Sequence, residues 1–186
     1  MGNPIYGLFV IEGTAEAMTY YYLLKYTSYD PNSQMGYTAN KMFNSPDRCI
    51  WKRTYDAFPF WEYILYKDRS LFIKAVKIAM GGSYSSSKEL FFKIFGGQAD
   101  EIIVDFYISI GKGKAYPKQK RVYMEQISYY RSIGGLVSPY GADYYRITVA
   151  GVINITAPSY VKAYIITPSG ETREFRSDTS ISANSI

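Results

Sequence analysis

The stretch "GGSYSSSKELFFKIFGG", residues 81–97, opens and closes on paired glycines around a serine run and a lysine. Two readings compete for it. A phosphate-cradling loop would make the chain an α/β nucleotide protein, whereas a helix with its stop and start signals written out would make it a packing protein. The phosphate loop requires G-x-x-x-x-G-K-[ST] after a buried strand, so that glycine amides can approach the phosphates. Lys88 has no glycine before it, and the pattern upstream is helical. Ser86 followed by Glu89 instead forms a capping box, the hydroxyl taking the third backbone amide and the carboxylate reaching back. Leu90, Phe91, Ile94 and Phe95 then make an apolar stripe, and Gly96 ends the helix.

Working outward, "DRSLFIKAVKIAMGG" (68–82) places Leu71, Phe72, Ala75, Val76 and Ala79 on one helical face, with Asp68 as N-cap and Gly81 suited to the left-handed position after the end. Pro59 excludes one continuous helix through 55–65. Residues 14–28 read as a helix capped by Thr14, with a short strand at 5–11 before it, closed by Gly13. The span 29–49, rich in Pro, Asn, Ser and Gly, reads as mostly loop. Downstream, Ile102, Val104, Phe106, Ile108 and Ile110 alternate as in a half-buried strand. Pro117 then opens a helix through "PKQKRVYMEQISYYRSIGG", residues 117–135.

After residue 136 the pattern turns to β, with alternation through Ile147 and Val149, Ile153 and Ile155, and Val161, Ala163 and Ile165. "TPSGE" (167–171) makes a tight turn into residues 171–176. The polar end, "SDTSISANSI" (177–186), reads as an arm or loosely held tail. The expected class is α+β: a helix-rich N-terminal two-thirds with one or two strands, then a small antiparallel, sandwich-like β part. The expected units are a helical α+β domain over 1–140 and an antiparallel β module with a polar arm over 141–186.

Composition narrows the chemistry. With 47% hydrophobic and 20% charged residues, the chain is ordinary globular material. No apolar run reaches the ~18 residues of a membrane helix, and "MGNPIYGLFVIEG" lacks the basic start of a secretory signal. Histidine is absent, which removes the usual near-neutral base and any Cys/His zinc site. Cys49 is the single cysteine, so no intrachain disulfide forms. Its neighbours Arg48, Lys52 and Arg53 could lower a thiol pKa, but without a histidine partner it reads as buried and inert. On a strand, Glu101 and Asp105 would stand roughly 13 Å apart, too far to act as an acid–base pair. No catalytic residue, metal ligand or cofactor site is nominated, and no small-molecule substrate or membrane is expected.

Two features point to binding. The run "GKGKAYPKQKR" (111–121) carries Lys112, Lys114, Lys118, Lys120 and Arg121, a basic patch able to meet phosphate oxygens; a solvated loop is the simpler reading. Tyrosine is unusually abundant, 21 of 186 residues, and suits half-wet contact surfaces. Phe58, Phe60, Trp61, Tyr129, Tyr130, Tyr144 and Tyr145 are the candidate interface aromatics.

Residues 68–147 resemble a group of small baseplate or tail-wedge proteins of contractile-tailed phages. The pieces carrying the resemblance are "DRSLFIKAVKIAM", "ELFFKIFGG", "EIIVDFYISI", "VYMEQISYYRSIGG" and "LVSPYGADYYRI", matching a helix, a second helix ending at Phe-Gly, a strand, a helix, and a proline turn into a strand. The N-terminal half and the β tail after Ile147 do not follow that pattern. The resemblance implies a non-enzymatic virion component made in the host cytoplasm, a phage tail or baseplate wedge, ring or connector subunit. It would bind other tail subunits and copies of itself. The alternatives are a nucleic-acid-binding protein using 112–121 and an archaeal virus capsid or host-interaction protein.

Overall fold

The computed structural model describes residues 4–29, 34–113, 124–127, 137–148, 152–175 and 179–182. Its helical body opens with a 3₁₀ turn, Pro4–Gly7, leading directly into α1, Leu8–Tyr26. The strand expected at 5–11 is thus the first turns of a helix. Phe9, Val10, Gly13, Ala17 and Tyr20 are buried at helical spacing, so a 3.6-residue stripe outweighs the short apolar run. Gly13 is a packing position rather than a stop: a Cβ there would overlap the Trp61 ring. Trp61 Nε1 donates to the Phe9 carbonyl oxygen at 2.7 Å in the same contact.

The expected loop at 29–49 contains α2, Gln34–Asn44. Ala39, Met42 and Phe43 form a short buried stripe there, packed against the 3₁₀ turn Tyr55–Ala57. Tertiary burial overrides the polar composition. As Pro59 requires, the chain breaks before α3, Phe58–Lys67, which carries the proline in its first turn.

α4, Arg69–Gly81, begins at the expected cap: Asp68 Oδ1 accepts from Leu71 N at 3.0 Å and from Ser70 Oγ at 2.7 Å. Those hydrogen bonds hold the Asp68 carboxyl below its usual range. Gly81 is the last helical residue and not a left-handed one; Gly82 follows at φ −105°. α5, Ser87–Phe95, has Ser86 Oγ accepting from Glu89 N at 3.1 Å. The Glu89 carboxylate reaches one residue further back than the standard box, to Ser85 N at 2.7 Å. Gly96 closes this helix at φ +58°, where glycine costs least.

The expected strand at 102–110 is α6, Ala99–Gly111. Ile102, Phe106 and Ile110 satisfy both periods, being four residues apart; Ile103 and Tyr107, buried beside them, satisfy only the helical one. Conversely, the helix expected from Pro117 contains a strand: β1, Glu125–Ile127, pairs in parallel with β2, Tyr145–Ile147. Ladder bonds to a distant partner decide this segment against its local propensity. Apart from Met124, the rest of 117–135 lies outside the described residues.

Two antiparallel pairs complete the β part. β4, Ala163–Ile166, pairs with β5, Thr172–Phe175, around the expected turn. There Gly170 sits at φ +86° and donates to Thr167 O at 2.8 Å. β3, Val152–Ile155, pairs with β6, Thr179–Ser182, so four residues of the expected polar tail are a strand. The class is α+β as expected; among the described residues one strand, β1, precedes residue 140. The strands after it depart from an all-antiparallel module: β2 pairs in parallel with β1, while the pairs β3 with β6 and β4 with β5 are antiparallel.

The core is a block of rings centred on α3. Trp61 stacks on Phe95 at 5.9 Å, Phe60 meets Phe106 edge-on at 5.2 Å, and Phe91 lies 4.7 Å from Phe95. Residues 138–144 are fastened onto this body. Ser138 N donates to Asp47 O at 3.0 Å and Ala142 N to Pro46 O at 2.9 Å. Tyr140, at φ +59°, inserts its ring beside Trp51, Phe91 and Phe92 at 4.7, 5.8 and 5.6 Å.

Candidate interaction surface

Of the candidate interface aromatics, Phe58, Phe60 and Trp61 are completely buried. They are core residues and cannot meet a partner, because α3 is enclosed by α1, α4 and the rings of α5 and α6. Tyr144 is half-buried, its hydroxyl donating to Tyr107 O at 2.7 Å, whereas Tyr145 is exposed on β2. Tyr129 and Tyr130 lie outside the described residues. In the basic patch, Lys112 is half-buried just past the end of α6. Lys114, Lys118, Lys120 and Arg121 lie outside the described residues.

The acids of the expected strand serve separate structural contacts. Asp100 accepts from the Tyr140 hydroxyl at 2.7 Å, and Asp105 forms an ion pair with Lys67. Among the described residues, no three His, Cys, Asp or Glu side chains converge as metal ligands would. Cys49 is buried, and burial pushes its thiol pKa up despite the adjacent basic residues. Arg53 is buried with Asp56 at 2.9 Å, and its guanidinium also donates to Ser45 O and to Arg48 O. That cluster holds the turn which in turn anchors residues 138–142. Its charges are paired for structure.

Two features escaped the sequence reading. The first is Glu62, fully buried on α3, with both carboxylate oxygens lacking a hydrogen-bond partner. Its surroundings include the hydroxyl-bearing rings of Tyr20 and Tyr66, and desolvation raises its pKa to about 9. At neutral pH it is therefore a neutral acid inside an aromatic core. An acid in "FPFWEYILY" was the available signal.

The second is a groove between α1 and α4. Val10, Ile11, Thr14 and Met18 line one wall and Phe72, Val76, Ala79 and Met80 the other, around a volume of about 260 Å³. Nearly the whole lining is apolar. Its lips stay in water: Ile11 is 39% exposed, Met18 42% and Met80 78%. The two helices run antiparallel, since Gly7, at the start of α1, lies against Tyr84, just past α4. Beyond the groove, α1 continues into an exposed ring pair, Tyr22 and Tyr26, at 5.0 Å. Clustered exposed apolar side chains of this kind mark contact surfaces, unlike scattered single ones.

No protein-family model, curated protein or solved structure matches the chain.

Proposed function

We propose that this protein is a non-enzymatic structural component of an assembly, binding neighbouring subunits through its surface, with a virus particle of the tail or baseplate kind as its setting. The observation that carries the binding role is the α1–α4 groove, an apolar concavity with methionine and isoleucine lips kept in solvent. Methionine adapts its shape to a partner's side chains, which suits a recognition surface. Of the two acids weighed as a pair, Asp105 is held by Lys67, while Glu101 stands exposed on α6.

The virion setting rests on the resemblance over residues 68–147. Three of its five pieces keep the implied structure in whole or part: α4, α5, and the proline turn entering β2. Of the other two, α6 is a helix where a strand is implied, and the last is described only at 124–127, where β1 is a strand. Mass spectrometry of purified particles from an infected host tests the setting, and electron microscopy of the purified protein tests the binding role. The expected results are peptides of this chain in the particle and ordered multi-subunit objects on the grid. A chain absent from particles and solitary in solution overturns the reading.

A further inference from the structure

We infer that the α1–α4 groove is the self-association surface of this chain, occupied by the same groove of a second copy related by a two-fold axis running along the helices. The inference rests on the assembly reading above and names its first partner.

The occupant follows from charge placed symmetrically about an apolar centre. Helical arithmetic at 100° per residue puts Glu12 and Glu16 on the flank of α1 that faces away from α4. Glu12 lies beside Tyr55, in the 3₁₀ turn that packs against α1. The same arithmetic puts Lys74 and Lys77 on the flank of α4 facing away from α1, both exposed. Each pair spans about one helical turn. Each also stands at mid-groove: Glu12 and Glu16 fall between Ile11 and Met18, and Lys74 and Lys77 between Phe72 and Met80. The surface is thus acidic on one outer edge, basic on the other, and apolar between.

A two-fold axis along the groove exchanges the edges. It lays α1 of one copy over α4 of the other, preserving height, so that Glu12 and Glu16 meet Lys77 and Lys74 twice over. Such an isologous contact needs one patch that complements itself, and flanking charge pairs set its orientation as they do between paired helices. Among the described residues, none of these four side chains has an ion-pair partner within the chain. Glu16 is already disfavoured as an anion, by burial and then by Glu12; a lysine arriving from the second copy relieves that repulsion. A polar partner would match the charges and waste the apolar centre, and an apolar one the reverse.

The test is sedimentation of the full chain over a concentration series, with thermal melts as a folding control. Wild type should sediment as a dimer. Met80→Asp, at an exposed position, should yield a folded monomer. Glu12→Lys with Glu16→Lys, and separately Lys74→Glu with Lys77→Glu, should each weaken the dimer roughly tenfold or more. Mixing the two swapped variants should restore dimers, since both opposed edges are then complementary again. A monomeric wild type, charge swaps without effect, or a mixture that stays dissociated overturns the inference. A monomeric wild type still present in particles would overturn this proposal while leaving the assembly reading standing. A dimer missing from particles would do the opposite.

Discussion

The helical body and the β part hold themselves together by different means. Between residues 4 and 113, rings from α1, α3, α5 and α6 interlock around Trp61, and buried aromatic contacts dominate. In the β part, among the described residues, each sheet has two strands of three or four residues, and the described strand positions are exposed or half-buried. Ladder bonds and one well-formed turn carry it, together with the seat it finds on α6, where Gly111 admits Ile166 and Tyr144. Two-stranded pairs are marginal on their own in water and need a surface to lie on. The body carries an aromatic core of its own, and the β part needs that body to lie on.

The sharpest way to break that asymmetry is Trp61→Ala. It removes a fully buried ring touching Phe9, Phe60, Phe72 and Phe95, and takes the indole N–H donor away from the Phe9 carbonyl oxygen. A loss of about 4 kcal/mol is expected by chemical denaturation. Both regions should unfold together, because the β part loses its seat. A variant in which the β signal survives loss of the body would reverse the dependence.

Glu62 tests the body from the opposite direction. Its folded-state pKa is raised from 4.5 to about 9 by desolvation, so the folded protein holds a proton that the unfolded chain releases above 4.5. The stability contributed by the neutral acid is complete below pH 4.5, falls as pH rises, and stops falling above pH 9. Glu62→Gln cannot ionise and escapes this loss. The variant should gain about 3 kcal/mol over wild type at pH 7, with the gap closing toward pH 4.5. Urea titrations of both proteins across that range measure it; a constant gap would mean that Glu62 is ionised in the folded state.

What the sequence made legible follows the same divide between local and distant causes. α4, α5, the break at Pro59 and the β4–β5 turn were readable because their signals are local: Asp68, Ser86 with Glu89, a proline, and Gly170. α6 was misread because Ile102, Phe106 and Ile110 fit a period of two as well as 3.6, and Ile103 and Tyr107 break the tie only when burial is known. β1 and β6 were missed because each is made by a partner strand far along the chain. Of the candidate surface, the groove was out of reach. Part of one wall, Val10 and Ile11, lies in the segment read as a strand, and a concavity between α1 and α4 needs both helices in place. Phe58, Phe60 and Trp61 read as interface aromatics and are core instead, because residue type alone does not separate a core from a contact patch.

Tyr140 is where the two regions meet, and it sharpens their relation. Its ring packs on Trp51, Phe91 and Phe92, its hydroxyl donates to Asp100, and its carbonyl oxygen accepts from Tyr107 at 3.2 Å. Tyr140→Ala should cost about 2 kcal/mol, less than a core ring because Tyr140 is only half-buried. Amide hydrogen exchange should quicken first at Ser138, Gly141 and Ala142, whose bonds to Ser45–Arg48 turn carbonyls and to each other depend on that anchor. Unaltered exchange there would show that the backbone bonds, not the ring, hold the segment.

The smallest expected effect lies wholly within the β part. Gly170 stands at φ +86° with open space where a Cβ would go, so Gly170→Ala introduces backbone strain without a clash. Left-handed backbone costs a residue with a Cβ about 1 kcal/mol. The bonds at risk are Gly170 N to Thr167 O and Thr167 N to Glu171 O, the pair that sets the β4–β5 register. Exchange of the amides in 163–175 should accelerate about fivefold while amides of α3 and α5 keep their rates. The logic separates the two modes of stabilisation cleanly: strain in a turn can loosen a hairpin that rests on the body, but it cannot reach the rings. Were the α3 amides to quicken equally, the β part would be contributing to the body's stability, and the one-way dependence of the β part on the body would have to be given up.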